Sequence, residues 1–129
     1  MKSIKIYFTS DLHGYMYPTD YLDGSKKNIG LMNCMTHYKK DGNTLIIDGG
    51  DTIQGSPFTN YLSSHKLDIH PIATIMNAAG YDYVTFGNHE FNYGYDYLKS
   101  YINALNGKCL CANIQDKTGQ MNILPYDIK

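Results

Sequence analysis

Apolar and polar positions change period several times along the chain, and each change marks an element. Ile4 to Thr9 reads as a first strand ending at Ser10-Asp11-Leu12-His13-Gly14, and residues 15–28 form a polar loop. From about Gly30 to Lys40, Leu31, Met35 and Tyr38 share one helical stripe, closed by Asp41-Gly42-Asn43. Thr44 to Asp48 has the apolar run of a buried strand and stops at Gly49-Gly50-Asp51. Gly55-Ser56-Pro57 opens a short helix through Tyr61-Leu62. Pro71 suits a first helical position; Ile72, Ile75, Met76 and Ala79 follow the i, i+3, i+4, i+7 pattern, and Gly80 ends it.

Tyr83 to Phe86 is a third strand, delivering Gly87-Asn88-His89-Glu90. Leu98, Tyr101, Ile102 and Leu105 mark another amphipathic helix, closed by Asn106-Gly107. Leu110 to Ile114 reads as a fourth strand, Asp116 to Gly119 as a turn, and Ile123 to Ile128 as a further strand. Strands alternating with helices predict an α/β fold of βαβ units with parallel neighbours. Residues 1–129 carry no internal repeat or linker and read as one domain. The chain stops inside a strand with no closing helix, which points to a domain incomplete at its C-terminal end.

Composition narrows the picture. A hydrophobic content of 43% supports a packed core, yet the longest apolar runs are as short as Leu45-Ile46-Ile47, too short for a membrane span. The formal charge of -1 provides no bulk attraction to a nucleic-acid polymer or a membrane surface. Met1 to Phe8 is interrupted by lysine and is followed by no small-residue cleavage site, so the expected location is cytoplasmic. A chain trimmed of its signal would look the same and would belong outside the cell or in its wall. All eleven basic residues are lysine, so arginine's two-pronged phosphate clamp is missing. Eleven of the twelve acidic residues are aspartate, which makes Glu90 conspicuous. The odd cysteine count argues against a disulfide framework. Cys109 and Cys111, alternating about Leu110 in the expected strand, read as small buried hydrophobes on one face.

The chemistry lies where the strands end. Asp11 and His13 follow the first strand, Asp51 the second, Asn88 and His89 the third, and loops at such ends converge on one crevice. Asp11 and Asp51 offer oxygen ligands, His13 a nitrogen, and Asn88 a neutral carbonyl oxygen, a set suited to hard or borderline divalent cations. Asp51 is the natural bridge between two of them. Cations about 3.5–4 Å apart can clamp a phosphate and activate a water between them for in-line attack on phosphorus. Gly49, Gly50 and Gly87 fit a backbone that approaches phosphate closely. Asp-x-His or Gly-Asp alone is a weak signal; the ordered set at successive strand ends is a strong one.

These motifs resemble the calcineurin-like metallophosphoesterases, over nearly the whole chain from Thr9-Ser10-Asp11-Leu12-His13 to Leu124-Pro125-Tyr126-Asp127-Ile128. Asp51-Thr52-Ile53-Gln54-Gly55-Ser56-Pro57 and Gly87-Asn88-His89-Glu90-Phe91-Asn92-Tyr93-Gly94 are most similar to the 2',3'-cyclic-nucleotide 2'-phosphodiesterase/3'-nucleotidase group. The resemblance implies the N-terminal portion of a metallophosphoesterase sandwich, with residues 1–129 as its catalytic domain less a C-terminal region. It implies Asp11, His13 and Asp51 on a first metal, Asp51 and Asn88 on a second, and catalytic His89 near the leaving group. The cofactors would be two divalent ions, with manganese, zinc, iron and magnesium all open. The partner would be a nucleotide substrate, with no nucleic-acid polymer and no membrane.

Two departures stand out. The 5'-nucleotidase branch carries aspartate where this chain has Asn92, which favours the cyclic-nucleotide group. The family also completes its metal shell with a downstream histidine and a Gly-His-x-His motif, whereas no histidine follows His89. The missing region would supply these ligands. The alternatives are a 5'-nucleotidase or nucleotide-sugar hydrolase, or a metal-binding fragment with no activity of its own. Glu90 and Asn92 are candidates for supporting the metal ligands; a helix-start carboxylate is the plain alternative for Glu90. Asp48 is expected to orient a loop, Gln54 to bond within its loop or reach substrate, and Tyr15 and Tyr17 to line the crevice mouth. His37, His65 and His70 match no motif and are expected at the surface or at helix caps.

Overall fold

Lys5–Thr9 forms the first strand (β1), and Thr44–Asp48 (β2) lies parallel beside it, with Tyr7 opposite Ile46 and Thr9 opposite Asp48. The computed structural model describes residues 3–129. Tyr83–Val84 (β3), Lys108–Leu110 (β4) and Ile123–Leu124 (β5) add in turn, so the sheet runs β1-β2-β3-β4-β5 with every neighbouring pair parallel. Parallel neighbours need crossovers, and the first three carry helices Leu31–Met35 (α1), Pro57–Ser63 (α2), Pro71–Ala79 (α3) and Tyr95–Ala104 (α4). Right-handed crossovers that always step the same way put their helices on one face. The expected α/β architecture is therefore present, and every strand points its C-terminal end to the same edge.

The face bearing Ile46, Val84 and Cys109 is buried in one core with Leu31, Ile72, Met76, Leu98 and Tyr101. Across the pleat, Phe8 and Ile6 are 64% and 56% exposed. Helix starts follow local chemistry. Ser56 caps α2 through a reciprocal box with Thr59, and Pro71 opens α3, which ends on Gly80 at φ 76. No helix among the described residues is long and apolar enough to cross a membrane.

Several boundaries differ from the sequence reading. The first helix ends at Met35 rather than Lys40. The amides of His37 and Tyr38 turn back only three residues, Lys39 N–H donates to Tyr7 Oη at 3.1 Å, and the Tyr38 ring packs 4.8 Å from that of Tyr7. The expected helical stripe thus continues as a turn held by the sheet. β3 stops at Val84; Thr85 N–H still reaches Asp48 O at 3.1 Å, and its hydroxyl bonds Leu110 O at 2.7 Å, as the chain leaves the sheet for the next loop. β4 begins at Lys108, whose amide donates to Asp82 O at 2.9 Å, two residues before the expected start. Cys109 is consequently buried within the strand, while Cys111 lies one residue past its end and is half-buried. β5 stops at Leu124, before Pro125, which has no N–H to give a ladder. Residues 125–129 instead tie back through Tyr83 to Asp127 (2.6 Å) and Lys129 to Asp82 (2.8 Å).

Candidate metal centre

The backbone pairing of β1 and β2 continues past the strands. Asp11 N–H donates to Gly50 O at 2.9 Å, His13 N–H to Asp51 O at 2.9 Å, and Gly14 N–H to Thr52 O at 2.8 Å. Two loops that would otherwise diverge therefore run side by side. One ligand atom from each of Asp11, His13 and Asp51 lies within 4.8 Å of the others. These same three are the non-glycine residues with positive φ among the described residues, at 56°, 47° and 56°. Each left-handed residue costs roughly 1–3 kcal/mol and persists only where its surroundings over-determine it. The backbone is thus held in unfavourable conformations at the positions whose side chains converge.

Each group has a bonding partner that sets its direction. His13 Nδ1 lies 2.7 Å from Gln54 O; a carbonyl only accepts, so Nδ1 donates to it, which leaves Nε2 on the side of Asp11, 3.9 Å from its Oδ1. Gln54 meets His13 through its backbone carbonyl, a contact that does not depend on its side chain. Ser10 Oγ donates to Asp11 Oδ2. Asp51 Oδ1 accepts from His89 N–H at 2.7 Å. His89 Nδ1 is 2.9 Å from Asn92 Oδ1, and its ring stands edge-on to that of His13 at 5.3 Å. Asn88 lies between Gly87 and His89, both packed on Asp51, and immediately precedes a short 3-10 turn, His89–Phe91.

Two carboxylates support these loops from below. Asp48, 1% exposed, accepts from Thr9 Oγ1 (2.6 Å), Thr52 Oγ1 (2.6 Å) and Gly50 N–H (3.0 Å), in line with the expected loop-orienting role. Burial pushes its pKa up, and the three hydrogen bonds oppose that shift. Glu90 accepts four backbone N–H groups from both loops and touches the His89 side chain through none of them. The glycines have a tighter reason than approach to phosphate. A Cβ at Gly87 would lie 2.2 Å from Asp51 Oδ1, one at Gly50 2.3 Å from Gly87 N, and one at Gly49 2.9 Å from the Phe8 ring. Loop packed on loop leaves no room for a side chain.

Other expectations resolve differently. His37 and His65 are exposed, as expected; His70 takes the expected cap position, at the start of α3, but its ring is 4% exposed between Tyr97 and Tyr101 and makes no capping hydrogen bond. Tyr15 stacks on Tyr21 at 5.1 Å, and Tyr21 Oη donates to Gly14 O at 2.8 Å, bracing the loop beside His13. Nothing in the residue pattern singled out Tyr21, Thr9 or Thr52. Their signal is hydrogen bonding across long sequence distances. A cavity of 340 Å³ is lined by Phe91, Tyr95, Leu98, Ile114 and Met121 and includes none of Asp11, His13 or Asp51. Asp11 is exposed and His13 and Asp51 half-buried, so the convergent group is open to solvent at the edge of the sheet.

Convergence of an Asp-His pair and a further Asp on strained loops at a parallel sheet's C-terminal edge agrees with the family profile for calcineurin-like phosphoesterase, which matches residues 4–127. The chain belongs to this family. It is 36% identical, over 97% of its length, to the trifunctional nucleotide phosphoesterase protein YfkN of Bacillus subtilis, covering 9% of that protein. It is also 36% identical, over 95% of its length, to a 2',3'-cyclic-nucleotide 2'-phosphodiesterase/3'-nucleotidase of Yersinia enterocolitica, covering 20% of it. The crystal structure of the calcineurin-like phosphoesterase YfkN superposes with a TM-score of 0.81 at 35% identity, covering 98% of this chain and 41% of that one. The chain thus spans at most about a fifth of these curated relatives. Relatives of this kind are phosphoester hydrolases acting on nucleotides, and the resemblance read from the motifs agrees with them.

Proposed function

We propose that this chain is the N-terminal part of the catalytic domain of a divalent-metal-dependent phosphoesterase that hydrolyses 2',3'-cyclic nucleotides and 3'-nucleotides. The observation that carries the reading is the convergence of Asp11, His13 and Asp51 within 4.8 Å on backbone held at positive φ. Two carboxylates and an imidazole with a free Nε2 form a donor set that fits a hard or borderline dication. Asp11, His13 and Asp51 would hold one ion, and Asp51 and Asn88 a second. When bound, such a pair supplies Lewis acidity at phosphoryl oxygens and a water acidic enough to serve as nucleophile near neutral pH.

The chain's own residues do the rest. The His89 amide holds Asp51 Oδ1. Asn92 Oδ1 accepts a hydrogen bond from His89 Nδ1–H, which leaves Nε2 as the atom that exchanges a proton with the departing ribose oxygen. An amide oxygen orients the ring without adding the negative charge that an aspartate would place there. This supports the cyclic-nucleotide reading over the 5'-nucleotidase or nucleotide-sugar one. A C-terminal region of the same enzyme supplies the remaining ligands in this reading. On its own the 129-residue chain holds its second ion weakly and turns over little.

Rates with 2',3'-cyclic AMP, 3'-AMP and 5'-AMP in Mn2+ test the assignment, with ion counting by native mass spectrometry alongside. Fastest turnover of 5'-AMP would select the rival substrate class. No bound ion at millimolar Mn2+ would sink the metal reading itself.

A further inference from the structure

We propose that Glu90 is a positioning residue whose buried carboxylate sets the gap between the loop bearing Asp51 and the loop bearing Asn88, and so the affinity for the second cation. The affinity claim rests on the two-cation reading above; the positioning claim does not. Glu90 is 1% exposed, and none of the ion pairs among the described residues involves it. Its Oε2 accepts from Gly87 N–H at 2.6 Å and Asp51 N–H at 2.7 Å; its Oε1 accepts from Thr52 N–H at 2.6 Å and Ile53 N–H at 3.4 Å. One oxygen therefore bridges the two loops, and the other anchors the strand-to-helix turn that follows Asp51.

A carboxylate serving only its own helix start would bond within its own turn. Three of these four donors instead lie 37 to 39 residues away. The loops are also at their limit of approach, since a single methyl on Gly87 would meet Asp51 Oδ1 at 2.2 Å. Backbone contact stops them closing further, and Glu90 stops them opening. A bridging aspartate and its neighbouring amide ligand keep their spacing only under both constraints.

Glutamine at position 90 makes a sharp perturbation. Its amide nitrogen cannot accept, so whichever way it turns, two of the four N–H groups lose their acceptor and face a donor. Aspartate keeps two acceptor oxygens on a shorter stem and should restore part of the effect.

The test is a Mn2+ titration of the full chain by calorimetry and electron paramagnetic resonance, on wild type, Glu90→Gln and Glu90→Asp, with amide hydrogen exchange on the metal-free proteins. Loss of such supporting partners weakens metal binding by roughly 10–100-fold. The expected result is a first affinity within about threefold of wild type, a second at least about tenfold weaker, and loss of the spin-coupled pair signal in Glu90→Gln. Glu90→Asp should fall between. Exchange protection should be lost at two or more of Gly87, Asp51, Thr52 and Ile53. Equal weakening of both affinities together with a fallen melting temperature would mean a merely structural carboxylate and overturn the proposal. Unchanged exchange at all four amides would overturn it too. If wild type takes only one Mn2+ even at the millimolar end of the titration, the two-cation reading fails and the affinity claim falls with it, while amide exchange still decides the positioning claim.

Discussion

Replacing His70 with phenylalanine should make the protein less sensitive to acid without weakening it at neutral pH. His70 is 4% exposed, lies between the rings of Tyr97 (4.8 Å) and Tyr101 (5.2 Å), and offers neither ring nitrogen a partner. Burial alone lowers its pKa from an ordinary 6.5 to about 4. The unfolded chain therefore takes up this proton near pH 6.5, and the folded chain only near pH 4. Between those values the unfolded state binds more protons, so stability falls as pH falls through the window. The full effect is about 3 kcal/mol at 1.36 kcal/mol per pH unit, a large part of a typical stability of about 5–15 kcal/mol. Asp48 works in the opposite direction, because a carboxyl whose pKa is raised by burial gains stability on acidification. Phenylalanine keeps the aromatic packing and removes a buried N–H whose lack of a partner costs roughly 1–3 kcal/mol. Urea unfolding followed by far-ultraviolet circular dichroism at pH 7.5, 6.0 and 5.0 measures this. The variant should match or exceed wild type at pH 7.5 and lose much less between pH 6.0 and 5.0. An identical pH slope in the two proteins would refute the reasoning, because the buried imidazole would then not be the group that titrates.

Two further substitutions address the site directly. Asp11→Asn removes one of two carboxylates within 4.8 Å, a repulsion of about 1 kcal/mol in water, and asparagine tolerates the same positive φ. Melting in chelator should rise slightly, while the stabilisation of about 2.7 kcal/mol expected from an ion at 100 times its Kd should vanish; a variant that still gains stability from Mn2+ would count against Asp11 as a ligand. Gly87→Ala drives a methyl to 2.2 Å from Asp51 Oδ1, so it should cost about 1–3 kcal/mol and weaken Mn2+ binding. Unchanged melting and binding would show that the two loops are not in contact.

The placement of the candidate residues was legible from local pattern. Asp11, His13, Asp51, Asn88 and His89 each follow an apolar run that had to be a strand, and parallel strands put such loops on one edge. Element boundaries were less legible where a distant partner decides them. Tyr38 leaves its helix to pack on Tyr7, and β4 starts early because Asp82 offers a carbonyl to Lys108. His70 shows the same limit: it stands at the cap position of α3 as read, and only the packing of α4 reveals that its ring is buried.

The sequence by itself thus determined the alternation of strands and helices, the candidate ligand types and their place at strand ends, since these depend on periodicity and side-chain chemistry within short windows. Only the tertiary structure decided which backbone is held at positive φ, why Gly50 and Gly87 must be glycine, and what Asp48 and Glu90 do. Those features arise from contacts between loops about forty residues apart in the chain, and a buried carboxylate acquires its role only when the backbone amides it accepts from have been brought to it.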